Sequence, residues 1–76
     1  MEVDKRRYKD LSLAEGAALV NEALAVCQRS APDRGPMAEL SERLGRNRRT
    51  LEQMRAQTRR VDFLTRVALV KLIEGP

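Results

Sequence analysis

Residues 46–60 hold six arginines, Arg46, Arg48, Arg49, Arg55, Arg59 and Arg60, against a single acid, Glu52. A guanidinium is a planar fork of donors. It fits a phosphate, or O6 and N7 of guanine, with two parallel hydrogen bonds, where an ammonium acts only as a point charge. Twelve of the fifteen basic residues in the chain are arginine. Asn47 and Gln53 stand among them, and such amide side chains pair with adenine. The whole chain carries only +4, so the rest of it is slightly acidic. The charge is therefore a local patch, which points to a polyanionic partner rather than to general solubility. A GC-rich genome would raise arginine throughout the chain and would not cluster it.

Other chemistry is poorly supplied. There is no histidine and a single cysteine, so the commonest metal ligand and general base is missing and no internal disulfide can form. The acids are scattered, and no glycine-rich phosphate loop is present. The expectation is a protein that is not an enzyme, with no metal, no cofactor and no small-molecule substrate. The opening residues MEVDKRRYKD are too polar for a secretory signal, and no apolar run approaches the roughly 18 residues of a membrane span. A cytoplasmic chain without a membrane partner is expected. Seventy-six residues make one domain, which buries only about 60% of its unfolded surface. A second copy is the obvious source of further buried area.

The patterning predicts a compact all-α domain of four helices over residues 12–76, preceded by a short basic arm over residues 1–11. The arm carries Lys5, Arg6, Arg7, Tyr8 and Lys9 and shows no periodicity. Ser12-Leu13-Ala14-Glu15 is a capping box that should open the first helix. Leu13, Ala17, Val20, Leu24 and Cys27 follow on one stripe, with Leu19, Ala23 and Val26 beside it. This helix should stop near Arg29, before the loop from Ser30 to Pro36. Cys27 is expected as a buried structural thiol. The second helix starts at Pro36 or Met37, turns Met37, Leu40 and Leu44 inward, and ends at Gly45. The third is capped by Asn47 and buries Leu51 and Met54, with Thr58 and Val61 extending that stripe. The fourth, capped by Asp62, runs to about Glu74. Val61, Leu64, Ala68 and Leu72 should close the core, and Phe63, Val67 and Val70 should lie nearly opposite.

The stretch from Leu40 to Met54 resembles the helix-turn-helix of the phage repressor and Cro type, found in small phage and plasmid regulators. Leu40, Ser41, Leu44 and Gly45 fit that family's apolar, small, apolar and turn-glycine places, and Leu51 and Met54 fit the apolar places of the following helix. Arg46 departs from the pattern, because the residue after the glycine is usually apolar. The resemblance implies a sequence-specific regulator of transcription, a repressor in the first place. It assigns Asn47, Arg48, Arg49, Glu52, Gln53 and Ala56 to the groove of duplex DNA. Arg46, Arg55, Arg59 and Arg60, with Lys5, Arg6 and Arg7 of the arm, are cast as phosphate contacts, which position without specifying.

A terminal helix that is apolar on nearly all sides needs cover on more than one side. A homodimer through Phe63, Val67 and Val70 would supply it and would present two reading helices to a palindromic site. The competing expectation is a small protein-binding module, such as a phage-encoded inhibitor, that offers its basic helix to a protein or an RNA.

Overall fold

The computed structural model describes residues 11–75. It is all-α, with α1 at Leu13–Ser30, α2 at Pro36–Leu44, α3 at Arg48–Arg55 and α4 at Phe63–Glu74, and no strand among the described residues. The arm residues Lys5, Arg6, Arg7, Tyr8 and Lys9 lie outside the described residues.

The first helix begins as its sequence dictates. Glu15 donates its backbone N–H to Ser12 Oγ at 3.1 Å, and Ser12 donates its own to Glu15 Oε1 at 3.2 Å. Two amides that the first turn would leave without partners are thereby satisfied. The Ser12 amide, and then its hydroxyl, hold the Glu15 carboxyl below its ordinary range. Four turns later α1 has delivered Ala17, Val20, Ala23, Leu24 and Cys27 to the interior. Burial pushes the Cys27 thiol up, away from thiolate chemistry.

The longest helix is also the hub. It packs on α2, α3 and α4, while the backbone of α3 comes close to those of α1 and α2 and not to that of α4. Leu40, Leu51 and Leu69, one from each of the shorter helices, are fully buried against it, joined by Met54 and Val61. Gly16 makes one close approach possible. A Cβ there would stand 2.8 Å from Val61 Cγ2, a contact that two stiff, buried chains cannot relieve.

The third helix is shorter than its apolar spacing predicts. It ends at Arg55, because Gln57 adopts φ 63° and turns the chain out. The Thr58 N–H then reaches back to Gln53 O at 3.0 Å, and the Gln57 N–H to Met54 O at 3.2 Å. This is the two-bond helix stop usually built on glycine. Thr58 is exposed and does not extend the inner stripe. Val61 is buried, but from the link between α3 and α4. A left-handed residue with a side chain is held at a cost of about 1–2 kcal/mol, partly offset by the extra freedom glycine has when unfolded. Gln57→Gly should therefore raise the unfolding free energy by about 0.5–1 kcal/mol, read as a higher denaturant midpoint at unchanged slope.

The inward face of α4 also differs. Leu64 is 69% exposed and Ala68 and Leu72 are half-buried, whereas Thr65 and Leu69 are buried. Counting from Val61 misplaces the stripe, because Val61 and Asp62 precede the helix. The observed run is Thr65 and Leu69, with Leu72 and Ile73 partly packed against the core. Thr65 tolerates burial because its hydroxyl donates to Asp62 Oδ1. Leu13, expected on the α1 stripe, is 36% exposed at the first turn.

Candidate nucleic-acid interface

The link from α2 to α3 is three residues long, Gly45-Arg46-Asn47. Gly45 adopts φ 64°, where a side chain would strain the backbone. The Arg46 N–H donates to Ser41 O at 3.2 Å, and the Ser41 hydroxyl donates to Arg46 O. Ser41 thus fastens the turn on both its backbone and its side chain. Asn47 then caps α3 by accepting the Arg49 N–H on Oδ1 at 2.8 Å. That bond engages the Asn47 oxygen and leaves its amide group for an external acceptor.

Beyond the cap, Leu51 and Met54 point inward, and the rest of α3 faces out. Arg48, Arg49, Glu52 and Arg55 are exposed, Gln53 is half-buried, and Ala56 is exposed just past the last turn. The early stop removes Arg59 and Arg60 from the helix. Both are exposed on the link that returns to α4. Residues predicted to form one helical face therefore sit on a two-turn helix and on the strap that follows it.

Ion pairing separates the arginines into two groups. Glu39 is 9% exposed, and its Oε1 accepts from Arg43 Nε at 3.1 Å. Its Oε2 lies 3.3 Å from Arg34 Nη1, close enough for attraction but without a hydrogen bond. Arg34 also pairs with Glu42, and Arg43 Nη2 donates to Ser30 Oγ at 3.0 Å. This network ties the 31–35 loop and the end of α1 to α2. Its one legible sign in the sequence was the four-residue spacing of Glu39 and Arg43; the burial of Glu39 was not anticipated. Arg46 is partnered too, with its Nη2 at 3.5 Å from Asp62 Oδ2. By contrast, Arg48, Arg49, Arg55, Arg59 and Arg60 enter no ion pair among the described residues, and Glu52 pairs with neither Arg48 nor Arg55.

The other candidate face lies on α4. Phe63, Val67 and Val70 line one shallow cavity of about 330 Å³ with Arg66 and Lys71. Val70 and Arg66 also line a second, of about 290 Å³, whose far bank is α1 with Glu15, Ala18, Leu19 and Glu22. Phe63 is 40% exposed, and Val67 and Val70 are half-buried.

No helix of the described residues is long and apolar enough to cross a membrane, and no cluster of acids and cysteine among them could hold a metal ion. The chain matches no family of known proteins, no curated protein and no solved structure.

Proposed function

We propose that this chain is a sequence-specific duplex DNA-binding regulator that reads the major groove with α3 and acts as a homodimer. One observation supports this above the others. Arg48, Arg49, Arg55, Arg59 and Arg60 are exposed and enter no ion pair among the described residues, while the acids beside α2 neutralise Arg34 and Arg43. A surface that needed only solubility would mix the two signs. This one leaves guanidinium groups unmatched by acids among the described residues, on a short helix whose width suits the groove and on the link that follows it.

Arg48, Arg49, Glu52 and Gln53 are the base-reading set, with Asn47 contributing its free amide group and Ala56 its methyl group. Arg55, Arg59 and Arg60 hold phosphates. Arg46 shares its guanidinium between Asp62 and a phosphate, because Asp62 engages only one of its nitrogens. Regulation of transcription, and repression in particular, is what the family resemblance implies.

The test is selection from a random pool of duplex DNA. Binding of the recovered duplex is then compared with that of a scrambled duplex at two salt concentrations. A preference of about 10³-fold or more is expected, with affinity for both duplexes falling as salt rises. Salt-sensitive binding without preference would reduce the reading to a basic patch and favour the protein- or RNA-binding alternative.

A further inference from the structure

The geometry points to Asp62 as the residue that fixes the orientation of α3 from the side its packing leaves open. This rests on the DNA reading for its use in recognition, but not for the tie itself. The backbone of α3 lies close to α1 and α2 and not to α4. Its inner face is fastened by Leu51 and Met54, while its two ends depend on the chain that enters and leaves it. The turn that enters α3 reaches Asp62 through the Arg46 side chain, and the link that leaves α3 ends at Asp62 in sequence. Its Oδ2 lies 3.5 Å from Nη2 of Arg46, the middle residue of the turn that leads into α3. Its Oδ1 accepts the hydroxyl of Thr65, which is 1% exposed in the first turn of α4.

Asp62 is also the N-cap residue of α4, so its own backbone is anchored there. One carboxylate therefore closes the span from 46 to 62, sixteen residues in sequence, which contains the whole proposed reading surface within the described residues. The Thr65 hydroxyl first, then Asp62's own backbone N–H and then Arg46, hold the Asp62 carboxyl below its ordinary value of 3.8, so the tie is charged at neutral pH. The arrangement also accounts for the departure at Arg46. Where the family pattern has an apolar residue after the turn glycine, this chain has a cation that reaches across to α4.

Asp62 is a positioning residue, and the sign of its effect separates positioning from simple charge. An acid beside a DNA-binding surface repels phosphate, so its neutralisation should tighten binding to any duplex. A residue that orients α3 does the opposite for the preferred sequence alone. Asp62→Asn keeps an acceptor for Thr65 and removes the charge that holds Arg46. Arg46→Gln opens the same tie from its other side and covers the case in which the first variant folds poorly.

Two readouts are needed on the full chain. The first is hydrogen exchange of the Arg46 and Arg49 amides, bonded to Ser41 O and Asn47 Oδ1. Exchange there should quicken by about two- to fivefold, the range an exposed pair can supply, with the core amides of α1 unchanged. The second is affinity for the duplex selected from a random pool and for its scramble. Asp62→Asn should weaken the first by about two- to fivefold and leave the second equal or tighter. Unchanged exchange at Arg46 and Arg49 overturns the tie. Quickened exchange with equal or tighter binding of the selected duplex overturns its role in recognition. If the wild-type protein prefers neither duplex, the DNA reading falls, and the exchange result still decides whether Asp62 fixes α3.

Discussion

Arg48→Ala and Arg49→Ala should each cost about 1–3 kcal/mol of binding to the preferred duplex, roughly 5- to 150-fold in Kd, and each should relax one base position. Both residues lie in the first turn of α3 and are exposed, and neither is engaged by an acid among the described residues. A bidentate guanine contact is the use of a free guanidinium that carries sequence information. Arg59→Ala should behave differently. Arg59 lies on the link after Gln57 has ended the helix. A phosphate contact from there weakens all sequences alike and shallows the salt slope by about one unit.

The comparison is clean because none of the three variants threatens the fold. They occupy exposed positions, where substitutions stay within about 0.5 kcal/mol, and alanine is the best helix former. The cap on the Arg49 amide comes from the Asn47 side chain, so it survives the loss of either arginine. Equal losses on preferred and scrambled DNA for both classes of variant would end the assignment of base contacts.

Where the sequence was legible, a local rule and the tertiary structure agreed. Ser12 and Glu15 answer each other three residues apart, so the capping box formed as written. Gly45 ended α2 because the turn needs positive φ, and only glycine adopts it freely. The interior stripe of α1 followed from spacing, because a helix of five turns repeats its signal often enough to be unambiguous.

The misreadings have equally local causes. Gln57 takes a conformation that its residue type does not announce, so α3 was expected to run on to the next apolar residue. Val61 is apolar and buried, but it packs on Gly16 from the link before α4. Its place says nothing about the phase of α4, and the error put Leu64 inside. Thr65 was passed over as polar, although a neighbouring carboxylate satisfies its hydroxyl. Glu39 lies in the first turn of α2, a place that suits an acid without announcing burial. It is buried because two arginines from different segments converge on it, a meeting that only the fold creates. The arginine cluster itself was plain in the sequence. Which of its members are held by acids, and which are not, was not.

The largest expected loss comes from breaking the proposed dimer. Val70 is the apolar residue common to the two shallow cavities described on α4, which also share Arg66, and Phe63 and Val67 extend the same face. Charge favours a second copy as the occupant. The α1 bank carries Glu15 and Glu22, and the α4 bank carries Arg66 and Lys71. A patch that meets itself must complement itself. With the two-fold axis along the groove, the acidic bank of one copy faces the basic bank of the other; an axis across it would set acid on acid. The arginine face of α3 carries almost one sign and cannot pair with itself. Val70→Glu should give a folded monomer in sedimentation and lower affinity for a palindromic duplex by about 10²–10⁴-fold, the gain that linking two binding events supplies. Lys71→Glu and Glu22→Lys provide a second test at exposed positions that spare the core. Each alone should weaken self-association, and an equimolar mixture should restore it, because each reversed charge then meets its opposite. A wild-type chain that sediments as a monomer at high micromolar concentration, free and bound to DNA, would sink the dimer.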